Sequence, residues 1–131
     1  MIKKVLIVDD NAGDRVLIKE ILSEIPLIEE FQEAESGEEA IEAVKSFRPH
    51  LVLLDINLTG IDGYETCQKI KELDDKVKVI LLTGYSEYFD REKRVETKAD
   101  LFTLKRLNKF TLRSAYIKLN DELESNDGKK T

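Results

Sequence analysis

The chain has 131 residues, 41% of them apolar and 37% charged, which suits one folded domain of ordinary size and leaves no room for a second. A formal charge of −6 and a pI near 5.0 argue against wrapping nucleic acid by bulk attraction. The longest apolar runs, Val5 to Val8 and Val79 to Leu82, are far short of a membrane span of roughly 20 residues, and no signal-peptide core follows Met1.

Short apolar runs alternate with longer segments of helical spacing, the pattern of βα units around a parallel sheet. Strand 1 is predicted at Lys4 to Val8. Helix 1 follows from about Ala12 to Glu24, with Val16, Leu17, Ile21 and Leu22 on one face and Pro26 as the stop. Strand 2, Ile28 to Ala34, carries four Glu or Gln residues, which suits a sheet edge. Ser36 and Glu39 form a capping box for helix 2, whose apolar positions are Ala40, Ile41, Val44 and Phe47. Leu51 to Leu54 is unbroken and apolar, as a central strand 3 requires. Helix 3 sets Cys67, Ile70 and Leu73 along one stripe, and Val77 to Leu82 is strand 4. Helix 4, roughly Ser86 to Thr97, has only Phe89 and Val95 as apolar anchors, which predicts the weakest packing. Strand 5 is Leu101 to Leu104. Helix 5 starts near Asn108 and aligns Leu112, Ala115, Tyr116, Leu119 and Leu123. These five units predict a flavodoxin-like, doubly wound five-stranded parallel sheet of order 2-1-3-4-5 over residues 1–123, then a polar, frayed tail over 124–131.

Four strands deliver a polar residue to one carboxyl edge: Asp9-Asp10 after strand 1, Asp55 on strand 3, Thr83 on strand 4 and Lys105 after strand 5. Each has an ordinary structural role when taken singly, since Asp10 or Asn11 caps helix 1, Asp55 starts a turn, Thr83 favours a strand and Lys105 is solvated. Together they are far more specific. Clustered carboxylates repel, and the usual remedy is a hard divalent cation with oxygen ligands, Mg²⁺ above all. Such a site is complete only when a phosphoryl group adds its oxygens; Lys105 then offers a positive charge and Thr83 a hydroxyl. An ionised Asp55 could attack phosphorus in line without a general base.

On these residues the chain resembles a response-regulator receiver domain of two-component signalling, over about residues 3–123. The carrying motifs are Val5-Leu6-Ile7-Val8-Asp9-Asp10, Leu51-Val52-Leu53-Leu54-Asp55, Gly60-Ile61-Asp62-Gly63, Leu82-Thr83-Gly84 and Leu101 to Lys105. The resemblance implies that Asp55 accepts a phosphoryl group from a sensor histidine kinase or a histidine phosphotransfer protein. It also implies Mg²⁺ held by Asp9, Asp10, Asp55 and the backbone carbonyl of Asn57, with Thr83 and Lys105 on the phosphoryl group and Thr83 and Phe102 as switch residues. Arg106 and Thr59 stand where the family usually has proline, and Phe102 replaces the commoner tyrosine. The Lys105-Arg106 bond is accordingly predicted to be trans, because a cis bond without proline costs roughly 2.5–4 kcal/mol.

A haloacid-dehalogenase-like phosphatase is a rival, since Asp55-Ile56-Asn57-Leu58-Thr59 resembles its nucleophile loop, yet Asn57 stands where that family needs a second acid. A binding module of the same fold that has lost phosphorylation is another; the complete Asp, Asp, Asp, Thr and Lys set speaks against it. The reading is therefore a switch and not a turnover enzyme. It is expected to act in the cytoplasm as a monomer or weak dimer, with no direct nucleic-acid or membrane partner; no output domain follows helix 5, so the regulator either acts alone through a partner or was cut from a longer protein. Its target protein is left open, as is onward phosphorelay. Residues 86–118 carry a local charge of +4 on an otherwise acidic chain. With Arg91, Lys93 and Arg94 this makes the face of helix 4, strand 5 and helix 5 the predicted signalling surface, although a solvated helix face would look the same. Cys67 reads as a buried small hydrophobe and His50 as an exposed turn residue.

Overall fold

The computed structural model describes residues 1–84, 91–105 and 108–128, with backbone alone at 91, 93, 94 and 125–128. The elements run β1 (Lys4–Val8), α1 (Ala12–Leu22), β2 (Glu30–Ala34), α2 (Gly37–Phe47), β3 (Leu51–Asp55), α3 (Gly63–Leu73), β4 (Lys78–Thr83), α4 (Arg91–Thr97), β5 (Leu101–Leu104) and α5 (Lys109–Gly128). All strand pairs are parallel and the order is β2-β1-β3-β4-β5, so the glutamate-rich β2 is an edge, as its composition predicts. The predicted helix 4 start at Ser86, its anchor Phe89 and the Lys105-Arg106 bond lie outside the described residues.

Side chains alternate across a strand, which divides the core into two layers. Val5 and Ile7 of β1, Leu51 and Leu53 of β3, and Ile80 and Leu82 of β4 pack with Ile18 and Leu22 of α1 and with Leu112, Tyr116 and Leu119 of α5. Leu6 and Val8, Val52 and Leu54, and Val79 and Leu81 face the other way, toward Ala40 and Val44 of α2 and Tyr64, Cys67 and Ile70 of α3. Burying β3 on both faces is what its unbroken apolar run is for.

Several helix faces differ from the periodicity reading. In α1 the buried set is Arg15, Ile18, Ile21 and Leu22, while Val16 and Leu17 are exposed. Arg15 lies over the core because its guanidinium finds partners at the rim: Nη1 donates to the Asp9 carbonyl (2.5 Å) and Nε to Glu33 (3.0 Å). In α3 Lys71, not Leu73, takes the last buried place, its Nζ donating to the Val77 carbonyl (2.5 Å) and Asp100 (2.7 Å). Val95, predicted to anchor helix 4, is 77% exposed; among the described side chains of α4 the buried one is Thr97. Ser36 caps α2 through the Glu39 amide (3.2 Å), but the Glu39 carboxylate reaches back to the Glu35 amide (2.8 Å) rather than to Ser36 itself. Helix α5 runs on to Gly128, beyond the predicted start of the polar tail.

Cys67 is buried, as predicted. Burial pushes its thiol up to about 12, with Sγ against the Thr97 carbonyl at 3.5 Å. His50, predicted exposed, is half-buried instead and clasps the start of β1, its Nδ1 accepting from the amides of Lys3 and Lys4, both at 3.1 Å. Burial first, then the positive N-terminus, Lys4 and Lys3, lower its pKa below the ordinary 6.5. The unfolded chain therefore binds the proton more readily, so this contribution is whole above about pH 6.5 and is lost as pH falls toward the folded value. The melting temperature is expected to drop between about pH 7 and pH 5 more steeply in the native chain than in His50→Gln. Parallel pH profiles would contradict this.

Candidate functional site

Register alone brings the acidic residues together. Val8 pairs with Leu54, so Asp9, the next residue, comes level with Asp55. By alternation both side chains leave the sheet on the α1 and α5 side, and Lys105, one step beyond Leu104 of β5, does the same. Two identical local turns then aim the carboxylates. Oδ1 of Asp9 accepts from the Asn11 amide (2.9 Å) and Oδ1 of Asp55 from the Asn57 amide (3.0 Å), which leaves each Oδ2 for another partner.

That partner is the Lys105 ammonium, 2.5 Å from Asp9 Oδ2 and 3.1 Å from Asp55 Oδ2. It is also 2.8 Å from Oδ2 of Asp14, in the first turn of α1. Burial pulls the ammonium's pKa down, but the bonds to Asp14 and Asp9 and the charge of Asp55 outweigh it, so the pKa is raised and the lysine stays charged. Asp55 also has a raised pKa, which for a carboxylate favours the neutral form. Burial raises its pKa and nearby Asp9 adds to that, against the Asn57 amide and Lys105, which lower it.

Asp10 is exposed, and one oxygen from each of Asp9, Asp10 and Asp55 lies within 4.8 Å of the others. Asp9 Oδ2 is buried and, among the described residues, accepts no hydrogen bond of ordinary geometry, leaving Lys105 as its counter-charge. A buried, under-bonded carboxylate oxygen beside two more carboxylates fits a hard divalent cation of the Mg²⁺ type.

Thr83 is buried at the end of β4, and its carbonyl accepts from the Lys105 amide (2.5 Å). Its strand parity is that of Leu81, so it shares the α3 face with Phe102, which pairs with Leu81 in register. The Phe102 ring is half-buried against Tyr64, centroids 5.9 Å apart and planes at 36°. The predicted site thus divides between the two faces: Asp9, Asp55 and Lys105 above one layer, Thr83 and Phe102 above the other.

The loop after β3 is held by close contacts. Gly60 has φ +82°, a conformation that favours glycine, and the following amide of Ile61 donates to Glu38 of α2 (3.4 Å). The Gly63 amide donates to the Ile56 carbonyl (2.8 Å) and its Cα sits directly over the Asp55 backbone. Sequence reading missed Asp14, Arg15, Tyr64 and this role of Gly63. For Asp14 the one available signal was its place in a helix turn that opens onto the acidic edge; a solvated helix acid looks the same.

The model of the response regulator receiver domain matches residues 5–117. Sporulation initiation phosphotransferase F of Bacillus subtilis is 39% identical over 89 residues, covering 66% of this chain and 68% of that protein. Chemotaxis protein CheY of Halobacterium salinarum is 38% identical over 112 residues, covering 83% and 89%. Among solved structures, the response regulator TrrA of Thermotoga maritima in complex with Mg²⁺ and beryllofluoride superposes with a TM-score of 0.80 at 38% identity, covering 89% of this chain and 98% of that one. With the sheet order, the acidic edge and a family match over nearly the whole chain in agreement, the chain belongs to the response-regulator receiver domains of two-component signalling.

Proposed function

We propose that this receiver domain takes a phosphoryl group onto Asp55 from a phosphohistidine of a sensor kinase or phosphotransfer protein. One observation carries the reading: Asp9, Asp10 and Asp55 converge within 4.8 Å while Lys105 stands 3.1 Å from Asp55. As an Asp55 Oδ–P bond forms in line, the N–P bond of the donor breaks, and the imidazole keeps the electron pair and leaves neutral after protonation. The Asn57 amide on Oδ1 fixes the carboxylate so that Oδ2 is the attacking oxygen. Asp9, Asp10, Asp55 and the Asn57 carbonyl would hold Mg²⁺, which when bound screens carboxylate from phosphoryl charge. Lys105 moves from the carboxylates to a phosphoryl oxygen. Thr83 turns its hydroxyl to another, and the vacated space on the α3 face lets Phe102 shift against Tyr64.

Readout follows through α4, β5 and α5; between the last two, Phe102, Thr103, Phe110, Ser114 and Lys118 line a cavity of about 440 Å³, and Phe110 is 86% exposed. Two relatives support two outlets: a sporulation phosphotransferase for onward relay, and a chemotaxis protein for binding a target. The proposed site of action is the cytoplasm; no helix among the described residues is long and apolar enough to cross a membrane. Incubation with a small phosphodonor is expected to add one phosphoryl mass when Mg²⁺ is present and none in excess chelator. Equal labelling in both would contradict the metal's part, and no labelling in either would contradict the reading.

A further inference from the structure

The Lys105 ammonium has three acidic partners, and Asp14 is the one that neither the nucleophile nor the acidic triad accounts for. Its 2.8 Å contact is shorter than the 3.1 Å contact to Asp55, and it is the more exposed of the two, 33% against 7% for the side chains. Helix α1 sets this position. Asn11 caps the helix by accepting from the Asp14 amide (3.0 Å), which directs the first turn, and Asp14 with it, over the strand ends. The ammonium has three donors for its three acids, so binding a phosphoryl oxygen means giving up at least one of them. Asp9 and Asp55 gain other partners in that state, as metal ligands or as the phosphorylated group itself. Asp14 gains none, and its charge stays beside the incoming anion.

Resting on the proposed phosphorylation of Asp55, we infer that Asp14 is a positioning residue that acts through Lys105. It competes with the phosphoryl group for the ammonium and thereby weakens the hold of Lys105 on that group. Because the contact is partly exposed, the effect is modest. Removing the charge is expected to tighten the site's hold on a non-covalent phosphoryl mimic about 3- to 5-fold.

The test is an equilibrium titration of the full chain with beryllofluoride at saturating Mg²⁺, followed by backbone amide shifts, with thermal melts to verify folding. Asp14→Asn is expected to bind about 3- to 5-fold tighter than the native chain, Asp14→Glu to return to the native affinity, and the gap between native and Asn variants to narrow with added salt. A purely structural role for Asp14 would give neither the rescue nor the salt dependence. Native-like or weaker binding by a folded Asp14→Asn overturns the inference alone. Failure of the native chain to bind beryllofluoride overturns the reading of Asp55 and this inference with it. If Asp14→Asn does not fold, Asp14→Ser decides by the same criteria.

Discussion

Asp55→Asn is expected to abolish phosphorylation by a small phosphodonor, a fall of about 10³-fold or more, as when an enzyme loses its nucleophile. The amide cannot attack, and the neighbouring carboxylates are poorly placed to replace it. Asp9 is the more deeply buried, its side chain 1% exposed against 7% for Asp55, and Asp10 is not among the acids on Lys105, which among the described residues are Asp9, Asp14 and Asp55. The variant is also expected to fold. Burial raises the Asp55 pKa above its ordinary 3.8, so ionising this group costs stability as pH rises through 3.8 toward the folded value, and a neutral amide removes that cost. Lys105 keeps Asp9 and Asp14 as partners in the variant. Melting at or above the native temperature together with loss of label would separate chemistry from folding. Label retained by a folded Asp55→Asn would move the acceptor elsewhere.

Gly63→Ala should be the most damaging small change near the site. A Cβ there would lie 2.5 Å from the Asp55 carbonyl oxygen and 2.6 Å from Ile56 Cα, both backbone atoms that no rotamer change can move aside. The strain is expected to cost about 1–3 kcal/mol, as overpacking elsewhere does. Relief would come by pushing Asp55 out of line, and a misplacement of about 1 Å can slow a reaction on the order of 10²-fold. Gly84→Ala is the control, because a Cβ at Gly84 meets nothing within 4 Å among the described residues. Urea unfolding and phosphorylation rates for both variants check the claim; a Gly63→Ala protein as stable and as fast as Gly84→Ala would refute it.

Sheet order and the acidic edge were legible because both rest on the coarse alternation of apolar and polar residues along the chain. Val8 and Leu54 pair only if two apolar runs lie side by side, and once they do, Asp9 and Asp55 must meet. Helix faces were less legible because long charged side chains can cover core. Arg15 and Lys71 occupy places assigned to apolar residues, since each reaches a backbone carbonyl six positions away and an acid at the rim that is remote in sequence, Glu33 or Asp100. His50 was misjudged for the same reason: its partners, the Lys3 and Lys4 amides, are more than forty positions away. Asp14 and Gly63 act through distances of a few ångströms to a strand end, which no local pattern encodes.

The central claim is that this acidic edge makes Asp55 a phosphoacceptor, and the most direct measurement is the position of the acid-labile group. After phosphorylation in Mg²⁺, borohydride reduction converts an aspartyl phosphate to homoserine, and peptide mass mapping locates it. The account predicts homoserine at position 55 and nowhere else; homoserine at Asp9 or Asp10, or native aspartate throughout a fully labelled sample, would contradict it.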